Sequence, residues 1–241
     1  MLSAAERERL CVVLVSTRNP LNIGAAARAM SNFGFSELRL VNPYEPSFRE
    51  ARSAVGAAEL LERARAFKSL AEAVADCVLV VGTTAIRERE LRHPLKRLEA
   101  GHRPIRKQLS SGRVALLFGS EKRGLSNDDL SHCHWLLRIP TREEHGSMNL
   151  GQAVAVCLYE LARENRKTRS ASAIELATAG EVERITSMLF EVLSASGYVK
   201  PKASSNAQEK LRRLVRRLRL PAADAEVWLG ILRQIGWKVK R

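Results

Sequence analysis

Short strand-like runs punctuate the chain at residues 11–16 (CVVLVS), 37–41, 77–81, 114–118 and 135–139, and all but 37–41 (ELRLV) are nearly uninterrupted in apolarity. Unbroken rather than alternating apolarity marks strands buried on both faces, the habit of parallel sheets. Helical patterns fall between the runs. Asn22 stands where an N-cap belongs, residues 23–33 follow at helical spacing, and Gly34 is the stop. Gly24 and the small residues Ala25, Ala26 and Ala27 let this helix lie close to a neighbour. Weakly helical stretches cover 47–67 and 70–75. Strands alternating with helices predict an α/β domain, a mostly parallel sheet flanked by helices. The runs end in turn residues: Asn42-Pro43, Gly82-Thr83-Thr84-Ala85, Gly119 and Pro140. Open parallel sheets collect ligands at such carboxyl ends. After the last run, the loop 141–147 feeds an apolar-faced helix that begins near Asn149. One segment breaks the rhythm. Residues 86–112 are basic and weakly periodic, which predicts a long loop, functional or disordered, carrying Arg87 and Arg89.

Beyond residue 165 the pattern is helical only. This predicts a domain over 1–165, a linker over 166–178 and a helical extension over 179–241. Helices are expected at 180–195, 205–220 and 222–235. In the second, Leu211, Leu214, Val215 and Leu218 fall on one face for packing, and Arg212, Arg213, Arg216 and Arg217 take the other. Residues 200–219 hold eight Lys/Arg against the single acid Glu209, half of the chain's formal charge of +14.

A charge of +14 in 241 residues points to a polyanionic partner, nucleic acid before membrane. With 45% hydrophobic but 5% aromatic residues, Val, Leu and Ala must build the core. No apolar run is long enough for a membrane span. The start, MLSAAERERL, is too charged for a signal peptide. Cys11, Cys77, Cys133 and Cys157 form no paired motif and read as core residues in a reducing compartment. A cytoplasmic location is expected.

Candidate chemistry gathers at the strand ends. Residues 119–126 (GSEKRGLS) have the spacing of a phosphate loop, but Leu125 stands where its lysine must be, which argues against a nucleotide hydrolase. His132 and His134 have no further ligand at metal spacing, so no metal is expected. His145 lies in a flexible loop. Ser147 lacks the elbow and partners of a hydrolytic triad. Arg28 lies four residues after Gly24, on the same helix face, and needs an anionic partner, either a structural carboxylate or a ligand.

Three blocks, taken in order, resemble a known family. They are NIGAAAR with Asn22, Gly24 and Arg28; LFGSEKRGL with Gly119, Glu121 and Gly124; and IPTREEHGSMNLGQAVAV with Ile139, Pro140, Ser147 and Asn149. Together they resemble the signature motifs of the SpoU/TrmH branch of SPOUT RNA 2′-O-methyltransferases, over residues 10–165. Met148 stands where that family usually has Leu, a volume-conserving change. The GTTA after the third run and the helical extension are most similar to the branch acting on the pyrimidine at position 32 of the tRNA anticodon loop.

The resemblance implies a C-terminal trefoil knot in the catalytic domain. It implies S-adenosyl-methionine as cofactor, held by Thr83, Thr84, Ala85, Gly119, Ile139, Gly146, Ser147 and Met148. It implies a homodimer with the active site across its interface, and tRNA as substrate, with rRNA or another tRNA position as the alternative. A non-catalytic RNA-binding protein on this scaffold is a further alternative. Arg28, Ser147 and Asn149 would be catalytic. Asn22 and Glu121 would position loops or substrate. Arg87, Arg89, Arg212, Arg213, Arg216 and Arg217 would meet RNA phosphates.

Overall fold

In a computed structural model of the chain, residues 2–43, 57–85, 93–142, 144, 146–163, 175–199 and 204–239 are described. Strand β1 (Leu10–Val15) shows why its run is unbroken. Leu10, Val12 and Leu14 enter one core, and Cys11, Val13 and Val15 enter another on the opposite face. Successive side chains of a strand point to opposite sides, so a strand covered twice must be apolar throughout. Strand β6 (Arg113–Phe118) divides in the same way.

The other strands are β2 (Glu37–Val41), β3 (Arg65–Phe67), β4 (Cys77–Thr83), β5 (Leu95–Arg97) and β7 (Trp135–Arg138). All pair in parallel in the order β3-β2-β1-β6-β4-β7-β5. A short α1 (Ala4–Glu8) precedes β1. One face is covered by α2 (Pro20–Phe33), α3 (Ala58–Arg63), α5 (Leu98–Leu109) and α7 (Leu150–Ala162). Among the described residues before 164, the other face receives α4 (Leu70–Ala73) and α6 (Asn127–Ser131), each a single turn or little more. The C-terminal helix α8 (Ala179–Ala195) completes that face: Ala179 joins its core and the Gly180 N–H donates to the Ala75 carbonyl at 2.7 Å. Helices α9 (Ser204–Arg217) and α10 (Ala222–Val239) share with α8 a small core of Ala177, Val182, Ile185, Val215, Leu220, Ala225 and Leu232. Residues 175–178, read from sequence as the end of a linker, belong to this unit. Leu176 bridges Pro221, and Thr178 caps α8 in a capping box.

Several expectations need correction. The cap of α2 is Asn19, not Asn22, with Pro20 in the first helical turn. The expected loop 86–112 contains β5 and α5, whereas Arg87 and Arg89 lie outside the described residues. Strands β3 and β5 were missed because they are the sheet's edges, three residues each, where burial on both faces is not required. The close neighbour of the small-residue helix lies within the chain: an added Cβ on Gly151 of α7 would sit 2.5 Å from Ala25 Cβ. Ala26 and Ala27 are buried in the same core.

Candidate active site

Strands β4, β6 and β7 end side by side, and their carboxyl ends open into a cleft of about 590 Å³. Thr83, Thr84 and Ala85 line it from the end of β4, Phe118, Gly119 and Ser120 from β6, and Leu137 and Ile139 from β7. Thr141 and Gly146–Ser147–Met148 close another side from the loop that leads to α7. The structure therefore brings together all eight residues that the motifs assigned to the cofactor. His145 and Glu143 lie outside the described residues.

Local bonds fix this wall. Thr83 Oγ1 donates to the Leu117 carbonyl at 2.8 Å, and the Thr84 N–H donates to the Leu137 carbonyl at 3.0 Å, so the end of β4 is tied to both neighbours. The loop after β6 folds back at once: the Gly124 N–H donates to the Ser120 carbonyl at 2.8 Å. Gly124 has φ +66°, a left-handed conformation suited to glycine. At Gly119 a Cβ would overlap the backbone of Gly124 and Leu125, so only glycine permits the hairpin to close.

A hydrogen-bonded chain joins the three motif blocks. Asn149 caps α7, its Oδ1 accepting from the N–H groups of Gly151 and Gln152 at 3.0 and 3.3 Å. Its Nδ2 donates to Asn22 Oδ1 at 2.9 Å, and Asn22 Nδ2 donates to Glu121 Oε1 at 3.0 Å. A carboxylate only accepts, so the orientation of both amides follows from Glu121. Burial works to raise the Glu121 carboxyl. The Asn22 amide and the backbone N–H groups of residues 121, 19 and 18 outweigh it and hold the carboxyl below its usual range. Having lost the capping role to Asn19, Asn22 is free to make this tertiary link, 7% exposed between two loops.

Arg28 stands apart. It is on the exposed side of α2 and is not among the residues lining the cleft. Lys122 and Arg123, which sequence reading passed over, do line it. The available signal was their position between Gly119 and Gly124.

The arginine helix is turned around. Arg212, Arg213 and Arg216 are 8%, 9% and 1% exposed, whereas Leu214 and Leu218 are about half exposed. Arg212 Nε meets both Glu183 oxygens at 3.1 Å, and its Nη1 donates to Ser131 Oγ at 2.9 Å and Asp128 Oδ1 at 3.1 Å. Arg213 pairs with Glu209 and Arg216 with Glu183. This corrects the assignment of Arg212, Arg213 and Arg216 to RNA phosphates, because their donors point into the protein. Of the four, only Arg217 is exposed.

Beneath these arginines lie His132 and His134, both buried. His134 Nδ1 accepts the Val80 N–H at 3.0 Å, which requires an unprotonated nitrogen. Burial, then Arg216 and Arg212, push His132 down to about 2. Burial, then Arg216 and Arg219, push His134 down to about 3. Among the described residues no group of His, Cys, Asp and Glu is arranged to hold a metal ion.

A model of the SpoU rRNA methylase family matches residues 9–159, the span that contains the cleft and all three blocks. This chain belongs to that family. The family expected from the motifs is thus borne out, as is the parallel sheet flanked by helices. Among curated relatives, TrmJ of Photorhabdus laumondii, named a tRNA (cytidine/uridine-2′-O-)-methyltransferase, is 35% identical over 95% of this chain and 97% of its own length. TrmJ of Pseudomonas aeruginosa, named a tRNA (cytidine/uridine/adenosine-2′-O-)-methyltransferase, is 37% identical, with 93% of each chain covered. The crystal structure of TrmJ from Z. mobilis superposes with a TM-score of 0.82 at 33% identity, covering 93% of this chain and 98% of that one. These alignments run beyond the family's catalytic block, so the C-terminal helices share in the likeness.

Proposed function

We propose that this protein transfers a methyl group from S-adenosyl-methionine to the ribose 2′-hydroxyl of the pyrimidine at position 32 of the tRNA anticodon loop. The observation that carries the reading is the convergence of Thr83–Ala85, Gly119, Ile139 and Gly146–Met148 on one cleft, beside the chain Glu121–Asn22–Asn149. The volume, about 590 Å³, suits a small-molecule cofactor. The lining gathers residues from the ends of β4, β6 and β7, which suits an adenosine moiety. The names of the relatives at 35–37% identity support tRNA as the substrate class.

When bound, S-adenosyl-methionine supplies an electrophilic methyl group. The residues of the chain then have to align the 2′-oxygen with it and accommodate the charge as the hydroxyl proton leaves. Arg28 holds the adjacent phosphate and stabilises the developing alkoxide, since a guanidinium keeps its charge and serves as a donor. Ser147 and Asn149 orient the ribose and the loop. Asn22 and Glu121 keep the motif blocks in register. A homodimer assembled over the exposed side of α2, where Leu21 is 79% exposed beside Ala25 and Arg28, brings Arg28 to an active site built across the interface. The family's trefoil knot, with the chain after β7 as the threaded segment, and a cytoplasmic location belong to the same reading. Among the described residues no helix is long and apolar enough to cross a membrane.

The test is methyl transfer from labelled S-adenosyl-methionine to total tRNA and to rRNA, followed by mapping of the modified nucleoside. Label at a 2′-O-methyl pyrimidine at position 32 is expected. Label confined to rRNA or to another tRNA position would overturn the substrate assignment and keep the chemistry. Arg28→Ala is expected to abolish transfer with tRNA affinity held within a few-fold.

A further inference from the structure

The helix α6 is five residues long and follows the cleft loop 119–125 directly. A helix that short does not hold its place through its own hydrogen bonds, so tertiary contacts decide where it sits. On its inner side Leu130 is buried and lines the cleft, as does Leu125 just before the helix. On its outer side Asp128 and Ser131, which flank Leu130 in sequence, both accept from one guanidinium nitrogen of Arg212. The other end of that guanidinium is held by Glu183 of α8. Arg212 is 8% exposed and Ser131 is fully buried, so their bond works away from water, where it is geometrically exacting, whereas the Asp128 side chain is 68% exposed and its bond is screened by solvent.

We infer that Arg212 is a positioning residue for the cofactor cleft: through Asp128 and Ser131 it couples the docked C-terminal helical unit to the wall formed by α6 and the loop 119–125. The side chain is not among those lining the cleft. It acts by fixing α6, and with it Leu130 and the Gly119–Gly124 hairpin. An Arg suits the site because it presents two separated nitrogens, Nε toward Glu183 and Nη1 toward Asp128 and Ser131, whereas a Lys offers its donors from one nitrogen. The bland alternative is that the cluster only holds two parts of the protein together. That alternative predicts a loss of stability with no specific change in cofactor binding.

The inference rests on S-adenosyl-methionine binding in this cleft, so the first measurement is its Kd for the unmodified full-length protein by calorimetry. Arg212→Gln would also strip Glu183 of a partner inside the C-terminal unit. The decisive variant therefore lies on the other side: Asp128→Ala combined with Ser131→Ala, which leaves the Arg212–Glu183 pair intact. The expected result is a Kd and KM for S-adenosyl-methionine raised about fivefold or more, with kcat within about twofold and the KM for tRNA unchanged. Arg212→Lys should resemble that double variant rather than the native protein. An unchanged cofactor Kd with a lowered Tm would overturn the inference and leave a purely structural cluster. A raised KM for tRNA alone would overturn it in favour of an RNA path. Absence of cofactor binding in the unmodified protein would overturn the cofactor reading itself, and this inference with it.

Discussion

Asn22→Asp tests the link between the motif blocks with an isosteric change. The Oδ1 that accepts from Asn149 at 2.9 Å is retained, while the NH₂ that donates to Glu121 Oε1 at 3.0 Å becomes a second carboxylate oxygen. A hydrogen bond to a charged group, worth about 1.5–3 kcal/mol, is lost. Two like charges about 4 Å apart add about 1 kcal/mol in bulk water and about 4 kcal/mol near a protein surface. Glu121 is exposed, so screening favours the smaller figure. A ceiling also applies, because one carboxyl can take up a proton instead. For an ordinary carboxyl that costs about 3.7 kcal/mol at pH 7 and about 1 kcal/mol at pH 5. The expected destabilisation is therefore about 2–4 kcal/mol at pH 7, shrinking to about 1 kcal/mol at pH 5. The assay is urea denaturation of both proteins at the two pH values, with S-adenosyl-methionine affinity measured in parallel. Affinity should fall at pH 7 and partly recover at pH 5. A destabilisation equal at both pH values would refute the reasoning, since it would show that the two carboxylates do not face each other.

Asn149→Ala removes the cap of α7, about 1 kcal/mol, and strands the Asn22 acceptor, about 1–3 kcal/mol; at about 2–4 °C per kcal/mol, a thermal melt should show a clear drop in Tm. Gly119→Ala should cost about 1–3 kcal/mol by overpacking the hairpin and should weaken cofactor binding; native affinity in that variant would mean the loop opens without consequence. Acid should loosen the junction with the C-terminal unit. His132 and His134 are held neutral when folded but take up protons near pH 6.5 when unfolded, so stability is full above that value and falls as pH drops towards 3. One unit below it, each contributes a loss of up to about 1.4 kcal/mol, and His132→Gln should show a smaller difference in Tm between pH 7.5 and 5.5 than the native protein.

The apolar runs at 11–16, 77–81, 114–118 and 135–139 were legible because a strand covered on both faces leaves nearly every position to an apolar side chain; the run 37–41 is different, because Arg39 is buried there and held by Asp76 and the Ala73 carbonyl. The residues that line the cleft were legible for a related reason: strand ends and glycine-bounded loops announce themselves in local sequence, and the three blocks carried the family. Edge strands β3 and β5 left no such mark, and Asn22 looked like a cap because capping and tertiary bonding ask for the same residue type. The arginine helix failed for a deeper reason. Helical periodicity shows that α9 has an apolar and a basic face, but not which one meets the protein. On the sheet face packed by α4, α6 and α8, α6 brings Asp128 and Ser131 and α8 brings Glu183, so acceptors distant in sequence turned Arg212 and Arg216 inward, while Arg213 pairs with Glu209 on its own helix. A buried charge is tolerated only where such partners converge, and that convergence exists in the tertiary structure alone.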